Sequence, residues 1–250
     1  MEEILAALTE QQAELDGLIH PVDTAAWSRP SRCDGWSVSD VMLHLAQTNE
    51  MALASLNHAL DAFYARALEG LPPSANVDDG AGAMVDKERG AVDDAALYAR
   101  WRGGVDQLMN AFGKADPHDR VPWVAGTLSA HTLSTTRLAE TWIHANDVAF
   151  GVGVALPSPE RLTHIARLAW RTLPYAYMRA GRELKGKVRF ELTSDTGALV
   201  FGDDDADTVL HGPVRDLCEV AGQRANAADT SLTAEGPDAD GVLELVRTFA

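Results

Sequence analysis

The sequence predicts a mainly α protein, a four-helix bundle over residues 1–182 followed by a small α+β domain over residues 183–250. Two observations carry this reading. Apolar residues recur at helical spacing from Ile4 to about residue 180. After Gly181 the pattern changes to short alternating runs separated by Asp195-Thr196-Gly197 and Gly202-Asp203-Asp204. The chain of 250 residues is 46% hydrophobic, enough to fill either one large core or two small ones.

Each element has its own signal. Ile4, Leu8, Leu15, Leu18 and Ile19 mark the face of a first helix that stops before Pro21. Ser37 and Asp40, spaced as a capping box, open a second, with Val41, Leu45, Ala52 and Leu56 on one side, that runs to about Leu68. Residues 70–94 are rich in proline, glycine and acids without a period, which predicts an exposed, mobile loop and a candidate lid. From Asp94 a third helix carries Leu97, Trp101, Val105, Leu108 and Phe112, and it ends before Asp116-Pro117. An ordered turn over 116–126 leads to a fourth helix from about 129 to 150. A fifth has Ser158 as cap, Pro159 in its first turn, and Leu162, Ile165, Ala166 and Ala169 on one face, and breaks near Pro174. Residues 187–212 read as strands and a hairpin, and the tail as a helix, a short strand over 231–236 and a final helix.

Charge and cysteine usage limit the partners. The 21 basic against 37 acidic residues leave a net charge of −16, which repels phosphate backbones and anionic lipid. Nucleic acid and membrane are therefore not expected partners; a small molecule is, on a monomer or small homo-oligomer. The acidic, amphipathic start is unlike a signal peptide, and no apolar run approaches the ~20 residues of a membrane span. Cys33 and Cys218 make no disulfide framework and no CxxC knuckle, which fits a reducing cytoplasm. Any metal must then be held by histidines and carboxylates.

The fourth helix carries the chemistry. At about 100° per residue, Leu138, Trp142, Ala145 and Ala149 fill one side, and Ala139, Ile143 and Phe150 extend the apolar cover. Arg137, Glu140, His144 and Asp147 gather in the remaining sector of about 80°. Such a stripe in a largely buried helix needs pairing or coordination, because buried charge is costly. Glu140 and His144, at i and i+4, present an oxygen and a nitrogen to one point. This spacing alone also describes a solvated surface pair. His44, between Leu43 and Leu45 on the second helix, points inward as well, although a lone inward histidine is usually a satisfied core residue. Together the three make two histidines and a carboxylate with open positions, the donor set of many catalytic zinc sites. His20, His58, His118 and His211 are poorer candidates. His131 and His164 could approach the site, as could Cys33, whose simpler reading is structural burial.

The segments RCDGWSVSDVMLHLA and TTRLAETWIHANDVAFGVG resemble the metal-binding core of the DinB-like bundle, in the mycothiol-dependent maleylpyruvate isomerase family. The resemblance covers roughly residues 5–180, and the C-terminal segment is similar to the sterol-carrier-like domain that follows the bundle in that branch. It implies a divalent metal, typically zinc, on His44, Glu140 and His144. It also implies a low-molecular-weight thiol of the mycothiol type as cosubstrate, used for cis-trans isomerisation or for S-transfer.

A metal-activated thiolate adds to an enone or enoyl carboxylate, and the bond that was double can then rotate. Eliminating the thiol gives the isomer, whereas stopping after addition gives an S-transferase. Arg137 is expected either to bind a substrate carboxylate or to bond Glu140 or Asp147; Asp147 either accepts the second ring N–H of His144 or pairs with Arg137. Two other readings stand beside this one: a hydrolase using zinc-bound water, and a metal-stabilised protein that binds small molecules without turnover.

Overall fold

Helix α1, Glu2–Ile19, buries Ile4, Ala7, Leu8, Leu15 and Ile19 along the stripe its spacing predicts. The computed structural model describes residues 1–20, 23–124 and 126–248. Pro21, the expected stop of this helix, lies outside them. A short α2, Thr24–Trp27, is capped by the Asp23 carboxylate. Helix α3, Val38–Leu56, starts at the expected capping box, with Ser37 accepting from the Asp40 amide and Asp40 from the Ser37 amide.

The second helix does not run unbroken to Leu68. Beyond Leu56 the chain turns at His58 (φ 53°) and restarts as α4, Leu60–Ala67. The break re-aims the chain so that Leu60 and Phe63 are buried. Nor is 70–94 a structureless loop, since it contains α5, Val77–Glu88. Asn76 caps this helix, Asp78 and Asp79 sit in its first turn and Lys87 in its last, in accord with the helix dipole. Its apolar anchor is small, Met84 and Val85, and polar contacts add to it: Gln47 Nε2 donates to the Met84 carbonyl at 3.0 Å, and Arg100 pairs with Glu88.

Helix α6, Asp94–Lys114, buries the five residues its spacing predicts. The segment after it forms an antiparallel hairpin, β1 Arg120–Trp123 and β2 Gly126–Ser129, instead of a simple turn. Ala125, part of the expected turn, lies outside the described residues. Helix α7, Ala130–Val152, is capped by Ser129 and ends at Gly153 in the left-handed region (φ 77°). Phe150 does not extend the apolar cover, being 64% exposed near the helix end. In the bundle of α1, α3, α6 and α7, α3 packs on α6 and α7, and α1 on α7 and α6. Trp101 and Trp142 are among its largest fully buried side chains.

The chain divides into two compact units, Met1–Leu156 and Pro157–Ala250. The boundary expected at 182/183 therefore moves to 156/157, because α8, Leu162–Arg179, belongs with the second unit. Arg161, not Ser158, precedes its first turn. It also runs through Pro174 without breaking. Leu168 and Ala169 before the proline and Leu173, Ala176 and Tyr177 beside and after it are buried, and this burial outweighs the single backbone bond that proline removes.

In the second unit β3 Val188–Ser194, β4 Gly197–Phe201 and β5 Thr208–Pro213 are followed by α9 Val214–Ala221, β6 Thr233–Glu235 and α10 Ala239–Leu245. The strand order is β4-β3-β5-β6, with β3 parallel to β5 and the other pairs antiparallel. Helices α8 and α9 pack on each other, and α9 lies against β3 and β5. This is the α+β arrangement the alternation predicts. Among the described residues no helix is long and apolar enough to cross a membrane.

Candidate metal centre

Four residues of α7 at three- and four-residue spacing place their side chains on one stripe, and α3 brings His44 against it. His44 Nε2 lies 2.7 Å from Glu140 Oε1, and His144 Nε2 lies 3.5 Å from the same oxygen. The two imidazoles meet edge to face with centroids 4.7 Å apart. All three residues are buried, so neither the surface-pair reading of Glu140 and His144 nor a solitary core role for His44 describes them.

Tetrahedral zinc with bonds near 2.0–2.2 Å separates its N and O ligands by about 3.4 Å. The 3.5 Å edge already has that length, and the 2.7 Å edge must open by under about 1 Å. One ligand atom from each of the three residues lies within 4.8 Å of the others. Two imidazole nitrogens and one carboxylate oxygen suit a borderline divalent ion, and the donor set fits such a group.

The electrostatics of the site match this arrangement. Burial opposes ionisation of Glu140, yet hydrogen bonds from His144 and His44 hold its carboxyl well below the usual range. Burial pushes His44 below the ordinary imidazole value, and its bond to Glu140 only partly offsets this. Burial works the same way on His144, but bonds to Asp147, Cys33 and Glu140 outweigh it and raise that ring well above the ordinary value.

Asp147 Oδ2 lies 2.9 Å from His144 Nδ1, the ring nitrogen away from Glu140. Such a bond fixes the ring and its tautomer. Asp147 is fully buried and also accepts from Cys33 Sγ at 3.1 Å. Sequence reasoning allowed Cys33 to approach the site but favoured structural burial, and nothing in its spacing from His144 marks it. The loop before α3 brings it there: the Ser31 amide donates to the Trp36 carbonyl, the Trp36 amide to the Cys33 carbonyl, and the Arg32 amide to the Asp147 carbonyl. The same loop sets the Trp36 ring 5.2 Å from that of His44.

Arg137 is 2% exposed, and its Nη2 donates to Thr48 Oγ1 at 3.0 Å and Asn49 Oδ1 at 3.1 Å. Its Nε has no hydrogen-bond partner among the described residues. Ten residues of helix, about 15 Å, separate Arg137 from Asp147, so the two do not pair. Burial lowers the guanidinium's pKa, and the nearby Glu140 charge offsets part of that effect. Among the described residues, the clusters of three or more potential metal donors are His44-Glu140-His144 and Cys33-His144-Asp147.

Comparison with known proteins follows the same lines. Residues 8–149 match the model of the mycothiol maleylpyruvate isomerase N-terminal domain, more than half of the chain. An uncharacterized protein of Mycobacterium tuberculosis, present in two strains, is 28% identical over 248 residues, covering 98% of this chain and 95% of its own length. Crystal structures of the mycothiol-dependent maleylpyruvate isomerase and of a histidine-to-alanine variant match with a TM-score of 0.61 at 21% identity, over 95% of each chain. At that identity the likeness is one of fold.

Proposed function

We propose, for a chain that belongs to the mycothiol maleylpyruvate isomerase family, a metal-dependent enzyme that uses a low-molecular-weight thiol of the mycothiol type. Its substrate class is a small electrophilic enone or enoyl carboxylate, and its reaction is addition of the thiol sulfur, completed as cis-trans isomerisation or as S-transfer. The observation that carries the reading is the buried convergence of His44, Glu140 and His144. These residues would hold a divalent ion, zinc by donor type. A bound ion of this kind lowers a thiol's pKa so that its sulfur is a thiolate, and nucleophilic, at neutral pH.

The chain's own groups divide the remaining work. Asp147 keeps the proton of His144 on Nδ1 and so leaves Nε2 free to ligate. Trp36 and the half-buried Cys33 line the loop over the two rings and limit water. Arg137 holds a cation in the bundle one turn from Glu140, anchored through Nη2 by Thr48 and Asn49, with its Nε–H unspent among the described residues. That charge supports selection of an anionic substrate and stabilises the electron density that gathers on a carbonyl or carboxylate as sulfur adds.

Metal analysis of the purified protein, with turnover of maleylpyruvate-like and other electrophilic substrates with and without thiol, tests the reading. Metal present and activity only with thiol is the expected result. Activity without thiol would support a hydrolase, and bound metal without turnover a binding protein. His44→Ala and His144→Ala should each lose the metal, and Glu140→Gln should weaken it, since the amide lacks the charge that answers the cation. Full occupancy in both histidine variants would remove the proposed ligand set.

A further inference from the structure

His144 has donor groups on both sides, and only one side holds the proposed metal ligands. On the far side, Asp147 Oδ2 lies 2.9 Å from Nδ1 and 3.1 Å from Cys33 Sγ, and the sulfur lies 3.9 Å from Nδ1. For tetrahedral zinc with bonds of 2.0–2.3 Å to N, O and S, these edges would be about 3.4–3.6 Å. Each observed edge is within about 0.5 Å of that range, so small side-chain shifts complete the triangle. Thiol, imidazole and carboxylate are together the donors a thiophilic divalent cation prefers.

We propose that Cys33, His144 Nδ1 and Asp147 form a second cation site, selective for a thiophilic divalent ion such as cadmium or excess zinc, and that filling it disables the first. The two sites compete for one ring. A neutral imidazole has one proton and one free lone pair. An ion on Nδ1 leaves the proton on Nε2, which then cannot ligate beside His44 and Glu140. Binding releases the Cys33 thiol proton to solvent, and sulfur enters the coordination sphere as thiolate.

Position and access favour such a site. Cys33 is held against Asp147 by a loop that closes on itself, with the Cys33 amide donating to Ser31 Oγ at 3.1 Å and the Ser31 amide to the Trp36 carbonyl at 2.9 Å. The thiol does not have to be recruited from a mobile segment. Cys33 is half-buried, whereas His44, Glu140 and His144 are buried, so an arriving ion meets the sulfur first. The other cysteine, Cys218, is fully buried in the second unit and offers no rival thiolate.

The test is titration of the metal-stripped full chain with cadmium in thiol-free buffer, following the ultraviolet sulfur-to-cadmium charge-transfer absorption. Wild type and Glu140→Gln should both develop the band, since the site needs neither Glu140 nor His44. Cys33→Ser should lack it, and Asp147→Asn should bind cadmium at least about tenfold more weakly. Absence of the band in wild type, or an undiminished band in Cys33→Ser, overturns the proposal. Its inhibitory half rests on the proposed function: zinc beyond one equivalent should suppress thiol-dependent turnover in wild type, and Cys33→Ser should resist it. Equal sensitivity of the two would refute the competition for His144. The cadmium band is read without turnover, so failure of the enzymatic reading and failure of this site remain distinguishable.

Discussion

Gly151 packs the end of α7 against the loop beside the proposed metal centre, and replacing it by alanine sets two known effects against each other. Alanine in a helix is favoured over glycine by up to about 1 kcal/mol, and by less in a last turn. Against this, a Cβ at Gly151 would sit 2.5 Å from Val38 Cγ2 and 3.0 Å from the Pro30 carbonyl oxygen. Val38 is buried and the carbonyl is backbone, so neither can move aside into solvent. Overpacking of this kind costs about 1–3 kcal/mol, which leaves a net loss of about 1–2 kcal/mol. For a chain of this length each kcal/mol moves Tm by roughly 2–4 °C, so Gly151→Ala should melt about 2–8 °C lower. Gly103, inside α6, is the control, because nothing lies within 4 Å of a Cβ placed there. Gly103→Ala should melt about 1–4 °C higher. The assay is thermal unfolding by circular dichroism at fixed protein and zinc concentrations. Pro30 and Val38 bracket the segment with Cys33 and Trp36, so zinc retention should fall in Gly151→Ala alone. A Gly151→Ala protein that melts at or above wild type would refute the steric argument.

Arg137→Met should keep its metal, because the guanidinium bonds Thr48 and Asn49, while KM for carboxylate substrates rises roughly 10- to 150-fold, the equivalent of about 1.5–3 kcal/mol for a hydrogen bond to a charged group. Arg137→Lys should recover only part of the loss; metal loss from both variants would instead make Arg137 a support for Glu140. In the metal-stripped protein, the raised value of folded His144 stabilises below its unfolded value and is lost as pH rises through the folded one. The lowered Glu140 stabilises above its unfolded value and is lost as pH falls, and the lowered His44 adds a penalty as pH falls below its unfolded value. Urea midpoints should therefore decline on both the acid and the alkaline side, and a midpoint that climbs steadily into the alkaline range would contradict the His144 assignment. A fragment ending at Leu156 should retain zinc, since every proposed ligand lies in the first unit; a folded but metal-free fragment would show that the second unit is needed.

The parts legible in the sequence are those in which side-chain type and helical period agree. The stripe of Arg137, Glu140, His144 and Asp147 is such a case, and so is the Ser37-Asp40 box that starts α3. Helix α5 was hidden because its glycines and acids leave only Met84 and Val85 to bury, too few for a period; the Asn76 cap with Asp78, Asp79 and Lys87 was the available signal. Tertiary burial decided the path through Pro174, and His58 in a left-handed conformation decided the break after Leu56, neither of which a local pattern reports. Cys33 lies 111 residues from His144 in the chain, so only the folded loop could bring it to Asp147.

What periodicity cannot supply is axial register, and the register of α3 against α7 is what makes a site of these residues. His44 meets Glu140, and one turn later Thr48 and Asn49 meet Arg137, one turn earlier on α7. The helices therefore run antiparallel, with partner numbers that sum to about 184–186. Extended toward the C-terminal end of α7, the rule places Asp147 opposite residues 37–39, where α3 has only begun. No side chain farther down α3 can then serve Asp147, and the loop before Ser37 fills the gap with Cys33 and the Arg32 amide. A slip of one helical turn would leave Glu140 facing Thr48 and take the His44 imidazole away from its buried charge, with only His144 of its own helix left to answer it. That is a cost of several kcal/mol, comparable with much of a domain's net stability. The same contacts that prepare the proposed metal ligands thus also select the register of the bundle.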